Sequence, residues 1–308
     1  ELLDSIPNVE RCLMVGGTVD GYESYEGARD AMPVETIADE ETGVDMLYSS
    51  GTTGKPKGVK LALPGTKVGE DTSLSMLTKV LYSFGEGMIY LSPAPLYHAA
   101  PLRYNMATLF NGGTCIVMEE FNEEQAISLI EKYKVTHSQW VPTMFVKMLK
   151  LPEEVRKKYD TSSLKVAIHA AAPCPIQIKE QMIDWWGPVI HEYYAGSEGN
   201  GFCAINSEEW MGHNGSVGRA ILGVIHICDD NGEEVEVGEA GTIYFADGPV
   251  FEYHNDPDKT KESTHAKGWT TLGDVGRVDE EGFLYSTDRK AFMIISGGGN
   301  IYPQEADN

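Results

Sequence analysis

The chain has 308 residues, too long for a peptide or a lone disulfide-stapled module and long enough for about two domains. With 42% hydrophobic and 9% aromatic residues it can bury real cores, which excludes disorder as its main state. Its 47 acidic against 24 basic residues leave a net charge of −23, which excludes a protein that grips nucleic acid or an anionic membrane by charge but leaves room for a local anion site built from backbone amides and a few lysines. The cysteines Cys12, Cys115, Cys174, Cys203 and Cys228 are odd in number and form no C-x-x-C pair. A disulfide framework and a cysteine zinc site are both poor readings, and a cytoplasmic location is expected. No signal peptide and no apolar run long enough to span a bilayer is visible. The chain opens at Glu1 without a methionine and stops at Asn308 soon after SGGGNIYP, so a longer protein is expected around it.

Taken in chain order, the first informative segment is Ser49–Gly58, SSGTTGKPKG. Its three glycines let the backbone curl with N–H groups pointing inward, four hydroxyls add donors, and Lys55 and Lys57 supply positive charge. Such a loop suits a polyphosphate. It is not a Walker A loop, because Gly51 and Gly54 enclose only two residues and Pro56 follows Lys55. VKLAL after it reads as a strand. Thr114–Met118 reads as a buried strand, and Asn122 caps a helix whose apolar face is Ala126, Ile127, Ile130 and Tyr133. Val135–Val141 is the next strand, Pro142 suits the first turn of a helix, and Leu164–Ala170 is strand-like again. Pro175 opens a helix running to about Trp186, and Val189–Tyr194 closes the series. This alternation predicts an α/β fold of mostly parallel sheets flanked by helices.

From about Trp210 the texture changes. Val224–Cys228, the turn Asp230-Asn231-Gly232, Thr242–Ala246 and the DEEG turn at Asp279–Gly282 before FLY read as antiparallel hairpins. They predict a small antiparallel β-barrel-like subdomain. The acidic stretch Glu233–Glu239 reads as a solvated turn. The expected organisation is 1–75, the end of a first α/β subdomain with the phosphate loop; 76–210, a second α/β subdomain; 211–287, the β-rich part; and 288–308, a hinge and the start of another lobe.

With SSGTTGKPKG, the segments PLYHAAP (Pro95–Pro101), HAAAP (His169–Pro173), HEYYAGSEG (His191–Gly199), GWTTLGD (Gly268–Asp274), DRK (Asp288–Lys290) and SGGGNIYP (Ser296–Pro303) resemble, in order, motifs of the adenylate-forming superfamily of acyl-CoA synthetases, luciferases and adenylation domains. The resemblance spans about Met46 to Pro303. It implies ATP/AMP, Mg²⁺ and CoA as ligands, with Ser50, Gly51, Thr52, Thr53, Gly54, Lys55 and Lys57 on the phosphates. It further implies Ala171 and Ala172 beside the adenine and acyl sites, and Glu192, Tyr193, Tyr194 and Ser197 around the nucleotide. Glu198 is implied as the Mg²⁺ ligand, Asp274 on the ribose hydroxyls, Arg289 on the ribose or phosphate side, and Gly297 and Gly298 beside the thiol tunnel. His98 is placed near the reacting carboxylate, so that Lys57, Ser197, Glu198 and His98 form the catalytic set. Trp140, Val141, Thr143 and Phe145 are placed on the acyl walls with Ala170–Ala172. His213, His254 and His265 receive no role. Ala195 and Ser197 stand where glycine and threonine are common in the family, and neither change removes a needed group.

The implied activity is an acid–thiol ligase that makes an acyl-adenylate from a fatty or steroid-type carboxylic acid and passes the acyl group to CoA. No nucleic acid and no integral membrane segment is expected. The superfamily's adenylation lysine is expected beyond Asn308. Competing readings are an adenylation domain that loads a carrier protein, a luciferase-like oxidase and a non-catalytic AMP-binding regulator.

Overall fold

In the computed structural model, which describes residues 5–49, 57–289, 294–296 and 299–301, the backbone separates into two units, Glu1–Glu41 and Thr42–Asn308. The first holds two short parallel strands, β1 (Leu13–Met14) and β2 (Glu23–Ser24), and helix α1 (Tyr25–Asp30). Ser24 caps α1 by accepting from the Gly27 amide, and Arg11 forks onto the Glu23 carboxylate at 2.6 and 3.1 Å.

The second unit begins with β3 (Leu47–Ser49) and β4 (Lys57–Leu61), then α2 (Ser73–Tyr82), β5 (Ile89–Ser92), α3 (Ala99–Phe110) and β6 (Thr114–Val117). There follow α4 (Glu123–Tyr133), β7 (His137–Trp140), α5 (Pro142–Leu149), α6 (Glu153–Arg156), β8 (Val166–His169), α7 (Ile176–Trp186) and β9 (Ile190–Tyr194). Next come β10 (Phe202–Ile205), α8 (Ser207–Gly212), β11 (Arg219–Leu222), β12 (Val224–Cys228) and β13 (Gly241–Ala246). The described part closes with β14 (Phe251–Tyr253), α9 (Pro257–Glu262), β15 (Thr270–Val278), β16 (Leu284–Arg289), β17 (Ile294–Ser296) and β18 (Gly299–Ile301).

The main sheet runs β11-β10-β9-β8-β7-β5-β6, with parallel pairing from β9 through to β6 and antiparallel pairing at β10 and β11. The expected parallel series is therefore present and closes with β9 at Tyr194, while the sheet itself goes on through two antiparallel strands, β10 and β11. Local chemistry sets the helix ends. Asn122 accepts from the Gln125 amide at 2.8 Å to start α4, and Pro142 fills the first turn of α5, where no amide partner is lost. Helices cover both faces, so β8 (VAIH) is buried at every residue. Ala167 and Ile190 pack with Ile127, Ile130, Phe145, Met148 and Met182 on one face. Ile168 and Tyr193 pack with Tyr82, Phe84, Tyr90 and Tyr104 on the other.

The antiparallel sheet β12-β13-β15-β16 is the expected β-rich part, and it curls through register shifts in β13 and β15. A third sheet, β14-β4-β3, joins residues near 60 to residues near 252. Among the described residues no helix is long and apolar enough to cross a membrane.

Candidate active site

Strand order reverses at β5, which has β6 on one side and β7, reached only after α4, on the other. Loops leaving the carboxyl ends of strands at such a point form the crevice of an open parallel sheet. His98 follows β5, Ala170–Ala172 follow β8, and the Ala195–Gly199 turn follows β9. His98 is the exposed N-cap of α3, makes no capping bond, and sets its ring against Tyr97 with centroids 4.5 Å apart. Ala171 holds φ +74° on the exposed loop after β8, a left-handed conformation that costs a residue with a Cβ about 1–2 kcal/mol. Outliers of this kind gather at ligand clamps.

The turn after β9 packs closely at Gly196. A Cβ at Gly196 would meet Leu272 Cδ1 at 2.5 Å and Glu198 Oε2 at 2.7 Å, so a larger residue there would push aside the Leu272 and Glu198 side-chain ends that pack against the turn. Glu198 is buried, and its Oε1 accepts from the Tyr253 hydroxyl at 2.9 Å. Tyr253 belongs to β14 and is paired with Val59 of β4, the strand that begins at Lys57. The Lys57 ammonium lies 5.7 Å from the Tyr253 ring centroid. Lys57 and Glu198, 141 positions apart by subtraction of their numbers, thus meet at one tyrosine. Ser49 pairs with Lys57 across β3 and β4, so the glycine-rich segment joins two paired strand ends. Ser50, Gly51, Thr52, Thr53, Gly54, Lys55, Gly297 and Gly298 lie outside the described residues.

Beside the turn, the Tyr194 hydroxyl donates to Asp274 Oδ2 at 2.7 Å, and Asp274 is buried in β15 opposite Arg289 of β16. Asn200 donates to the Thr270 carbonyl and hydroxyl at 3.3 and 3.1 Å, a further tie between the turn and β15. Ser197 is half-buried, and its carbonyl accepts from Arg103 at 3.1 Å.

Some expected residues lie elsewhere. Glu192 is buried under the sheet with its Oε2 2.6 Å from the Lys179 ammonium and 3.4 Å from His169 Nε2. Burial raises the Glu192 carboxyl and lowers Lys179, each shift opposed by the partner's charge. Tyr193 points to the other face, stacked between Tyr104 and Phe202, and accepts from Gln139 at 3.0 Å. Burial pushes its phenol up to about 12. Side chains on a strand alternate, so Tyr193 cannot share a face with Tyr194. Trp140 and Phe145, expected on an acyl wall, are fully buried and pack with Trp186 in the core; Val141 is half-buried and Thr143 exposed.

Two contributors were not singled out in the sequence. Tyr253 sits in the short strand FEY, and Arg103 is the lone charge in helix AAPLRYNMATLF. Arg103 forks onto Asp45 with Nε at 3.2 Å from each carboxylate oxygen and Nη2 at 2.9 Å from Oδ2. A single charged residue in an otherwise uncharged, largely apolar helix was the available signal.

Among the described residues no three His, Cys, Asp or Glu side chains gather to hold a metal ion by themselves. The single Glu198 carboxylate fits Mg²⁺, a hard cation that keeps few protein ligands and takes the rest from phosphates and water.

The profile of the family described as AMP-binding enzyme matches residues 4–252. The chain is 29% identical along its whole length to the medium/long-chain-fatty-acid–CoA ligase FadD8 of Mycobacterium tuberculosis, of which it covers 54%. It is 26% identical over 94% of its length to the 2-succinylbenzoate–CoA ligase of Bacillus subtilis, covering 58% of that protein. Among solved structures, the ATP-bound RpMatB-BxBclM chimera B3 superposes with a TM-score of 0.78 at 26% identity, over 93% of this chain and 56% of that one. The chain spans a little over half the length of the relatives it matches. A match across most of its residues places the chain in the AMP-binding enzyme family.

Proposed function

We propose that the protein carrying this chain is an ATP-dependent acyl-CoA synthetase acting on a fatty or steroid-type carboxylic acid. The observation that carries the reading is the meeting of Lys57 and Glu198 at Tyr253, which ties a cation from the end of the glycine-rich loop and a buried carboxylate to one side chain. In the first step the acid's carboxylate oxygen attacks the α-phosphorus of ATP, the bond to the β-phosphate oxygen breaks, and pyrophosphate leaves. Two anions must approach, so the catalytic problem is charge and alignment rather than a protein nucleophile. Lys57 offsets phosphate charge, Tyr253 orients the Glu198 carboxylate by hydrogen bonding, and Asp274 accepts the ribose hydroxyls. Mg²⁺, held by Glu198 when bound, supplies Lewis acidity toward the phosphoryl oxygens. In the second step the CoA thiol adds to the acyl carbon, its proton passes to solvent, and AMP leaves with the bonding pair.

The test is ATP–pyrophosphate exchange by the full-length protein over a panel of aliphatic, steroid-type and aromatic acids, followed by AMP release on adding CoA. Acid-dependent exchange and CoA-dependent AMP release are expected. Exchange with transfer only to a carrier protein would overturn CoA as the acceptor, and oxygen uptake from the adenylate would indicate an oxidase. Binding of ATP without exchange for any acid would leave a nucleotide-binding regulator. Residues 1–308 alone should exchange pyrophosphate far more slowly than the full-length protein; equal rates would refute a lysine beyond Asn308.

A further inference from the structure

Arg103 ties the approach to β3, whose Ser49 is paired with Lys57, to the turn that carries Glu198. Its guanidinium forks onto Asp45, two residues before β3 enters the glycine-rich segment, at 3.2, 3.2 and 2.9 Å. The same Nη2 donates to the Ser197 carbonyl at 3.1 Å, one residue before Glu198. Both charged side chains are about four-fifths buried, with 18% and 19% exposure. A forked, charge-assisted pair removed from most of the water fixes direction as well as distance, which a lysine point charge does not. Arg103 itself is held by α3, packed on the sheet through its neighbours Tyr104 and Ala107.

We propose that Arg103 is a positioning residue that sets the separation between the Lys57 end of the β3–β4 pair and the Glu198 turn, tuning the site for a nucleotide with a full polyphosphate tail. This rests on the proposed function. The chemistry behind it is selective. MgATP engages Lys57 and the metal carboxylate at once, so its affinity depends on their spacing; AMP engages the adenine and ribose side and little of that span. Loss of the brace should therefore weaken MgATP and leave AMP nearly unchanged.

The experiment is calorimetric titration of the full-length protein and its R103Q, R103K, D45N and R103Q/D45N variants with MgATP and with AMP, alongside the thermal midpoint and pyrophosphate-exchange kinetics. R103Q should weaken MgATP about tenfold, the scale of one lost charge-assisted bond, while AMP shifts less than about threefold. The loss should appear in the KM for MgATP more than in kcat. R103K should recover part of the affinity, and D45N should act in the same direction as R103Q. The double variant should be no worse than R103Q, because both changes remove one brace. Equal weakening of MgATP and AMP, additive effects of the two substitutions, or variants indistinguishable from wild type would overturn the assignment to Arg103 while leaving the ligase reading intact. Wild-type protein that binds neither nucleotide would overturn both.

Discussion

The phenol of Tyr194 donates to the carboxylate of Asp274 at 2.7 Å, joining the end of β9 in the parallel sheet to β15 in the curled one. The bond holds an acceptor-only group at the seam between the two sheets. If Asp274 receives the ribose hydroxyls, D274A should weaken AMP by at least about tenfold, since a charge-assisted bond is worth about 1.5–3 kcal/mol. Y194F should cost less, because it leaves the carboxylate in place. Wild type should favour AMP over 2′-deoxy-AMP, and D274A should lose most of that preference. Calorimetric titration of the four enzyme–ligand pairs checks it; an undiminished preference in D274A would place the ribose elsewhere.

Glu198 and Lys57 separate by role. E198Q keeps the shape and an oxygen for the Tyr253 contact but removes the negative charge and replaces one metal-binding oxygen with an amide nitrogen, so nucleotide binding should lose most of its dependence on Mg²⁺ concentration. K57A should slow pyrophosphate exchange by about a hundredfold, the size of effect seen when one preorganised transition-state donor is removed, and weaken AMP far less. Exchange measured against Mg²⁺ concentration for both variants decides the matter. Unaltered kinetics in both would show that the residues meeting at Tyr253 do no chemistry.

Much of the fold was legible because its signals are local. Asn122, Pro142 and the apolar face Ala126–Ile127–Ile130 each fix an element within one or two turns, and observed strand ends fall within two residues of those read from Thr114–Met118 and Val189–Tyr194. Segment β10 (FCAI) was not read as sheet, because a short mixed run after a glycine-rich turn carries no period of its own. The site was legible as motifs and not as contacts. HEYY names consecutive residues, yet strand alternation sends Tyr193 into the opposite core, and Glu192 is committed to Lys179. Lys179 itself sits in a helix whose pattern gives a charged residue every reason to face solvent. Asp45, Arg103 and Tyr253 come together only through sheet pairing and helix packing between distant segments.

That hidden pair yields a stability prediction. Lys179 is wholly buried, bonded to Glu192 at 2.6 Å and set over the Trp210 ring at 4.7 Å. K179M would strand the Glu192 carboxylate in the core and should cost about 3–5 kcal/mol. K179M/E192L, which removes both charges, should recover most of that loss, because well-packed apolar groups replace a buried ion pair at little net cost. Urea unfolding at neutral pH distinguishes the cases. A double variant as unstable as K179M would mean that the pair's geometry, rather than its charge balance, holds β9 to α7.

Acidification should destabilise the protein through histidines that the fold holds neutral, His137 and His169 buried and His191 half-buried. His191 packs edge-on against Tyr82, and burial, reinforced by the positive charge of Lys179, pulls its pKa from 6.5 down to about 4. Burial also lowers His137, whose ring bonds the Tyr82 carbonyl, and His169, which lies beneath the sheet beside Phe145. The folded pKa is the depressed one, so between about 4 and 6.5 the unfolded chain binds a proton at His191 that the folded chain refuses. The contribution is fully present above 6.5 and is lost as pH falls through that window, with a slope of at most about 1.4 kcal/mol per pH unit for each such proton. The denaturation midpoint should therefore fall steadily from pH 7 to pH 4, and H191Q, which cannot take up that proton in either state, should show a shallower fall. Denaturant unfolding of wild type and H191Q at half-unit pH steps reads the difference directly. Parallel curves for the two proteins would show that His191 titrates alike when folded and unfolded, and the acid sensitivity would then come from His137, His169 and the carboxylates that bonding holds below their usual range, such as Glu124 and Asp229.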